Sequence, residues 1–583
     1  MLQALYHRAR RVEAVELNPQ VVELVRDDFG AFTGGLYDRA DVRVHIAEAR
    51  GFVAGHRQSY DLIQMTLLDT FNTTAAGLHA LNTSALYTVE AFQHYLQHLN
   101  PGGLLAITSW LRQPPRDSLK LFATAVVALE RLGVPDPGAQ LVLIQGWKTT
   151  TLVVKNGAFS PEDKATIRQF CQRRAFDPAW YAGMQADEAN HFNQLEPPDL
   201  YTSAITLLGP EREAFLERYP FNLRPATDDR PYFFHFFKWR ELPALWAKRT
   251  HGGLGQLEWG YLVLIATLAQ ALLASVVLIL LPLWLGRRSG RVPAHGPRGR
   301  VLVYFTAIGL GFLFLEIAFI QQCMVFLSHP LYAVAVGLCT FLVGAGLGSA
   351  VSRRFADPRR AVRWAVAGIT GWALVSLLAL PAFFQWALPW PEPSKWLCAI
   401  GSIIPLAFGM GMPFPLGLSL LARTAPGLVP WAWAINGCAS VVSAVLATVL
   451  AMQIGFSGVV LAAVMLYLVA AAVTPPLRIG GVTVGGPSGS LQPPKAADSS
   501  LPAKAQKSWQ YVALGVSPGS APVGGRPVGR TGWSSPYPPD QGPLRAAIPD
   551  LRQRDHAGSP RLREPVRIPS QRRSVISNSS QSV

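Results

Sequence analysis

From Trp259 to Val473 the chain is almost wholly apolar, and this feature bounds everything else it can be. The stretch divides into seven runs, near 259–285, 301–327, 329–351, 363–387, 396–421, 430–453 and 456–474. A helix needs about 20 apolar residues to cross ~30 Å of hydrocarbon, and most of these runs reach that length. They read as seven membrane spans, with the lipid bilayer as the first partner. A positive mean hydropathy of +0.22 agrees, and with only 15% charged residues the composition disfavours an ordinary cytosolic enzyme.

Lys plus Arg (52) less Asp plus Glu (36) gives a net charge of +16. Residues 475–583 hold 14 basic and 5 acidic residues, so +9 of it belongs to the tail. That tail is rich in Pro, Gly, Ser and Arg and is expected to be disordered, because it has too few apolar clusters to offset its ordering entropy. Its charges are scattered and its aromatics few, which points to a solvated extension and to no specific nucleic-acid partner. The five cysteines show no C-x-x-C spacing, and four lie in apolar runs, where they behave as small hydrophobes. The opening ten residues place their basic groups after a very short apolar stretch, unlike a cleavable leader, so insertion rests on the later spans.

Residues 1–160 alternate short apolar strands with amphipathic helical stretches. Strands are expected at Arg11–Glu16, Val42–Ala47, Asp61–Leu67, Gly103–Ser109, Gln140–Gly146 and Thr150–Lys155, with helices at 19–29, 87–99 and 117–132 between them. Such alternation implies an α/β, doubly wound, mostly parallel sheet, with ligands at the carboxyl ends of the strands. Residues 161–258 form an extension and linker to the all-α, multi-pass transmembrane bundle of 259–474.

Three strands end on acids. Val12-Glu-Ala-Val-Glu-Leu-Asn-Pro19 delivers Glu16, Val44-His-Ile-Ala-Glu48 delivers Glu48, and Tyr60-Asp-Leu-Ile-Gln-Met-Thr-Leu-Leu-Asp69 delivers Asp69. A carboxylate at such a strand end can accept hydrogen bonds from both ribose hydroxyls of a nucleoside. Taken singly, Glu16 is about as well explained as a helix-capping or surface acid. Three on one sheet edge are harder to dismiss.

These segments resemble the nucleoside-binding half of the spermidine synthase family, aminopropyltransferases of class I methyltransferase-like fold, and in particular its membrane-embedded bacterial branch. Pro225-Ala-Thr-Asp-Asp-Arg-Pro-Tyr-Phe-Phe234 resembles a signature of that branch, as do Gly409-Met-Gly-Met-Pro-Phe-Pro-Leu-Gly417 and Trp431-Ala-Trp-Ala-Ile-Asn-Gly437. The resemblance implies that Glu16 holds the ribose of decarboxylated S-adenosylmethionine, or of S-adenosylmethionine itself, and that Glu48 contacts the adenine amino group. It implies Asp69 as the general base that relieves the attacking amine of its proton. No metal is implied, and the acceptor is a small amine or other small molecule. The family's D-x-x-D loop has Thr66 in place of its first Asp and Thr70 in place of its Pro, so a less charged acceptor than a polyamine is favoured. Met1-Leu-Gln-Ala-Leu resembles the helix that follows the family's first strand and Gly-rich turn, so the sheet is expected to be incomplete, with two unpaired inner edges. A fragment or a misassigned start is the corresponding expectation, and with it an inactive chain.

In the membrane half, Glu316 is an intramembrane acid and therefore a candidate site, although a structural Glu beside Gln321, Gln322 or Asn436 is favoured. Gly344-Ala-Gly-Leu-Gly348 reads as a small-residue packing seam, and Pro413 with Pro415 breaks the fifth span. Five arginines in 286–300 and five in 352–363 mark both loops as cytoplasmic. The basic residues at 238, 240, 248 and 249 weaken the bias at the first span, so residues 1–250 are assigned to neither side. An inner-membrane location is expected. Three activities fit: aminopropyl transfer, S-adenosylmethionine-dependent methyl transfer, and a transporter or membrane scaffold carrying a degenerate nucleotide-binding domain. His45 and His79 lie near the acids without metal-ligand spacing and read as ordinary hydrogen-bonding residues.

Overall fold

The computed structural model describes residues 1–67, 83–197, 199–243, 259–288, 298–327, 330–474 and 574–578. Its strands are β1 (Arg11–Glu16), β2 (Val42–Ile46), β3 (Tyr60–Thr66), β4 (Leu99–Trp110), β5 (Leu141–Gln145), β6 (Thr149–Lys155), β7 (Asp177–Tyr181) and β8 (Ser574–Asn578). They form one mixed sheet in the order β2-β1-β8-β3-β4-β6-β5-β7. The first five in that order are parallel, and β6 runs antiparallel to both β4 and β5. All of β1 except Arg11 is buried, as a central strand covered on both faces requires. The carboxyl ends of β1, β2, β3 and β4 consequently share one edge.

The expected gap between β1 and β3 is filled. Val575 of β8 pairs with Val12 on one side and with Leu62 on the other. Inner-edge amides and carbonyls need partners, and a segment carrying Val575 and Ile576 has the β-branched composition to supply them. This corrects both the unpaired edges and the wholly unstructured tail for these five positions; residues 475–573 lie outside those described. The extension also departs from a simple linker, since β7 pairs antiparallel with β5.

Three helices position the sheet-edge residues: α1 (Pro19–Glu23), α2 (Ala49–Gly55) and α3 (Val89–Gln97). A fourth, α4 (Asp117–Arg131), follows β4. The membrane half comprises α5 (Trp259–Arg288), α6 (Arg298–Leu327), α7 (Pro330–Ser352), α8 (Pro358–Ala387), α9 (Glu392–Met410), α10 (Pro413–Thr424) and α11 (Val429–Ala472). Among the described residues six helical segments are long and apolar enough to cross a membrane, α9 and α10 counting as one. The protein is therefore a multi-pass membrane protein.

The glycine seam is structural. A side chain at Gly344 would strike Ala407, and one at Gly348 would strike the Phe408 carbonyl, so α7 and α9 touch backbone to backbone. The chain breaks between Met410 and Pro413, and Tyr304 donates a hydrogen bond of 2.7 Å to the Pro413 carbonyl.

The last two apolar runs share α11, which is interrupted at Gly455 (φ 78°, ψ 170°). Ser443 donates to the Leu310 carbonyl at 2.8 Å, while Gly311 lies against Tyr467. Positions 443 and 467 flank the break yet meet neighbouring residues of α6, so the chain reverses at Gly455. Tyr261, at the start of α5, packs on His235 and Phe237 of the sheet half. The end of α5 with Arg287 and Arg288, the start of α6 with Arg298 and Arg300, and the arginines that follow α7 therefore lie at the membrane end opposite the sheet.

Candidate functional site: a sheet edge and a membrane junction

Glu16 and Glu48 come together because β1 and β2 are adjacent and parallel. Glu16 pairs with Ile46 in register, and its carbonyl accepts the Ala47 N–H at 3.0 Å. The Glu16 side chain is 2% exposed, and its Oε1 accepts the Asn18 N–H at 3.0 Å. Asn18 in turn caps α1, accepting the Gln20 N–H, with Pro19 preset at the first helical position.

Glu48 caps α2. Its two carboxylate oxygens accept the N–H groups of Arg50 at 3.1 Å and Gly51 at 2.7 Å. The helix-capping alternative weighed for Glu16 is thus the one Glu48 satisfies. Asp69 lies outside the described residues, as does His79. The strand leading to Asp69 ends on the same edge, and its exit residue Leu67 takes a left-handed φ of 49° while donating to the Thr108 carbonyl at 2.9 Å. Such a conformation costs a non-glycine residue about 1–2 kcal/mol and is kept only where its surroundings demand it.

His45 is spoken for. Its Nε2 meets the buried Glu13 carboxylate, which also pairs with Arg11. Asp117, absent from the sequence-based candidates, opens α4 just past the end of β4. It is 2% exposed and sits 3.9 Å from Arg112, with no hydrogen-bond partner for either carboxylate oxygen among the described residues. Its position one loop beyond an apolar strand is the signal that could have found it.

The second constellation belongs to the Pro225–Phe234 segment. Asp228 forms a two-pronged ion pair with Arg50, both contacts at 2.6 Å, and accepts the Thr88 hydroxyl at 2.7 Å. Burial alone would raise the Asp228 carboxyl, but the Arg50 charge and its hydrogen bonds hold it below the ordinary carboxylate range. The next residue points the other way. Asp229 accepts the Ser457 N–H on its carboxylate at 2.7 Å and the Phe456 N–H on its carbonyl at 2.8 Å, so it caps the returning half of α11. Arg230 donates to the Gln453 carbonyl at 3.0 Å, on the other side of the break. Only glycine fits at 455, where φ is positive and an added Cβ would collide with the Asp229 carboxylate. Consecutive residues thus fasten α2 of the sheet half to the turn in the membrane half.

Glu316 is 9% exposed and has no hydrogen bond to Gln321, Gln322 or Asn436 among the described residues. No family model and no curated protein matches the chain.

Proposed function

We propose that this is a spermidine-synthase-like transferase of the cell inner membrane, with a methyltransferase-like sheet that binds the adenosyl group of decarboxylated S-adenosylmethionine. Glu16 would take the ribose hydroxyls and Glu48 the adenine amino group. The observation that carries the proposal is the juxtaposition of these two acids at the carboxyl ends of adjacent parallel strands, where open α/β sheets bind ligands.

The acceptor is a small amine. Its nitrogen lone pair attacks the methylene beside the sulfonium; a C–N bond forms, the C–S bond breaks, and methylthioadenosine leaves with the electron pair. The proton released from nitrogen passes to the Asp69 carboxylate. A sulfonium is already a good leaving group, so orientation and charge complementarity supply much of the rest. Incubation of the purified full chain with decarboxylated S-adenosylmethionine and an amine should yield methylthioadenosine. Adenosylhomocysteine from S-adenosylmethionine would instead identify a methyltransferase.

Two observations favour a second reading, a scaffold with a degenerate nucleotide-binding domain. Glu48 already spends both oxygens on capping α2. The arginine-rich ends of the bundle also lie opposite the sheet, which by charge bias faces the sheet away from the cytoplasm, where an adenosyl donor is not expected. Nucleoside binding with neither product formed would select this reading.

A further inference from the structure

Between α2, α3 and the membrane helices lies a cavity of about 350 Å³ whose two ends differ in chemistry. Its polar end, toward the sheet, is lined by Arg50, Glu90, Asp228 and Asp229; the membrane half contributes Phe326, Leu377, Phe384 and Leu388 as its apolar end, with Gln322 and Gln385 among them. We infer that it is a binding site for a lipophilic monocation, a protonated primary amine on a single alkyl chain.

The charge balance selects the head group. Arg50 and Asp228 neutralise each other at 2.6 Å, and Glu90 is matched by Arg131 at 2.7 Å. Asp229 has no cationic partner among the described residues; its only side-chain bond there is from the Ser457 amide. One negative charge therefore remains. Gln322 lines the same cavity. A carboxylate without a cationic partner calls for a cation, and an ammonium can donate N–H bonds to it where a quaternary amine cannot. Burial, with help from the Arg50 charge, pushes the neighbouring His94 imidazole down to about 4, so it adds no positive charge at neutral pH.

The apolar end selects the tail. Its side chains come from α6, α8 and the segment just after α8, so the chain of the ligand enters between membrane helices. The volume sits at the low end of the roughly 300–1,000 Å³ of small-molecule sites, which suits one alkyl chain. None of this depends on the transferase reading, because Glu16 and Glu48 do not line the cavity.

Decylammonium, decanol and decanoate titrated calorimetrically into the full chain in amphipol test the inference. Decylammonium should bind at least tenfold more tightly than decanol, and decanoate more weakly still. Leu377→Trp, which fills the apolar end, should weaken decylammonium at least tenfold. Asp229→Asn keeps an acceptor for the Ser457 amide and should erase the preference for ammonium over decanol while decanol affinity stays. Glu16→Gln should leave all three affinities unchanged, which separates this site from the nucleoside site. Equal affinity for the three ligands, tighter decanoate, or decylammonium binding unmoved by Leu377→Trp would overturn it.

Discussion

The sheet edge and the membrane junction both rest on pairs of carboxylates, and they use them differently. At the edge, Glu16 and Glu48 come from neighbouring strands, and their bonds are to backbone amides two or three residues away. At the junction, Asp228 reaches Arg50 across 178 positions of sequence and Asp229 reaches Ser457 across 228. Short-range carboxylate bonds shape a helix start and fix the acid at the strand end. Long-range ones tie two halves of the molecule together, and breaking the Arg50–Asp228 pair should cost stability before it costs binding.

The largest effect should follow from Arg50→Ala, which strands the half-buried Asp228. Loss of one member of a fully buried ion pair typically costs about 3–5 kcal/mol, and a pair with one partly solvated member should lose somewhat less, seen as a lower thermal unfolding temperature. The joint Arg50→Met, Asp228→Leu variant should recover most of that loss, and failure to recover would show that the pair does more than hold the joint.

Acidity should loosen the same region. His94 is held at about 4 in the folded chain against about 6.5 when unfolded. Below 6.5 the unfolded chain takes up a proton that the folded one refuses, so stability is full above pH 6.5 and declines as pH falls toward 4. The decline attributable to His94 should be on the order of 2–3 kcal/mol, and His94→Gln should flatten it. A profile identical in both proteins would contradict the assignment.

Gly455→Ala should destabilise by about 1–3 kcal/mol, because its backbone region is closed to side chains and the new methyl meets Asp229. Limited proteolysis should show the reversal near 455 opening. Unchanged resistance and unchanged unfolding temperature would place the joint elsewhere. Glu16→Gln should have the smallest effect on stability and act instead on nucleoside binding.

Strand and helix positions were largely legible in the sequence. β1 matches its expected span, and β2, β3, β5 and β6 differ by a residue or so at an end, because apolar runs bounded by polar turns report the buried strands of a parallel sheet. The placement of Glu16 and Glu48 was legible for the same reason. What was not legible is what depends on distant partners. Helix α2 is only seven residues and starts on a Glu rather than on a favoured cap residue. β8 lies more than 500 residues from its partner β1 in a segment whose composition reads as disordered. The Thr-Asp-Asp-Arg run announced itself only as a resemblance, since nothing local says that Asp228 faces Arg50 while Asp229 faces Ser457. Gly455 stood between two expected spans, and its left-handed backbone made sense only once Asp229 was beside it.

The adjoining strand ends are proposed as a nucleoside site, and calorimetric titration of methylthioadenosine into the purified full chain and its Glu16→Gln variant is the decisive test. Saturable binding by the native chain, weakened at least tenfold in Glu16→Gln (about 1.4 kcal/mol) with an unchanged unfolding temperature, is the predicted result. No binding to the native chain, or equal affinity in the variant, would contradict it.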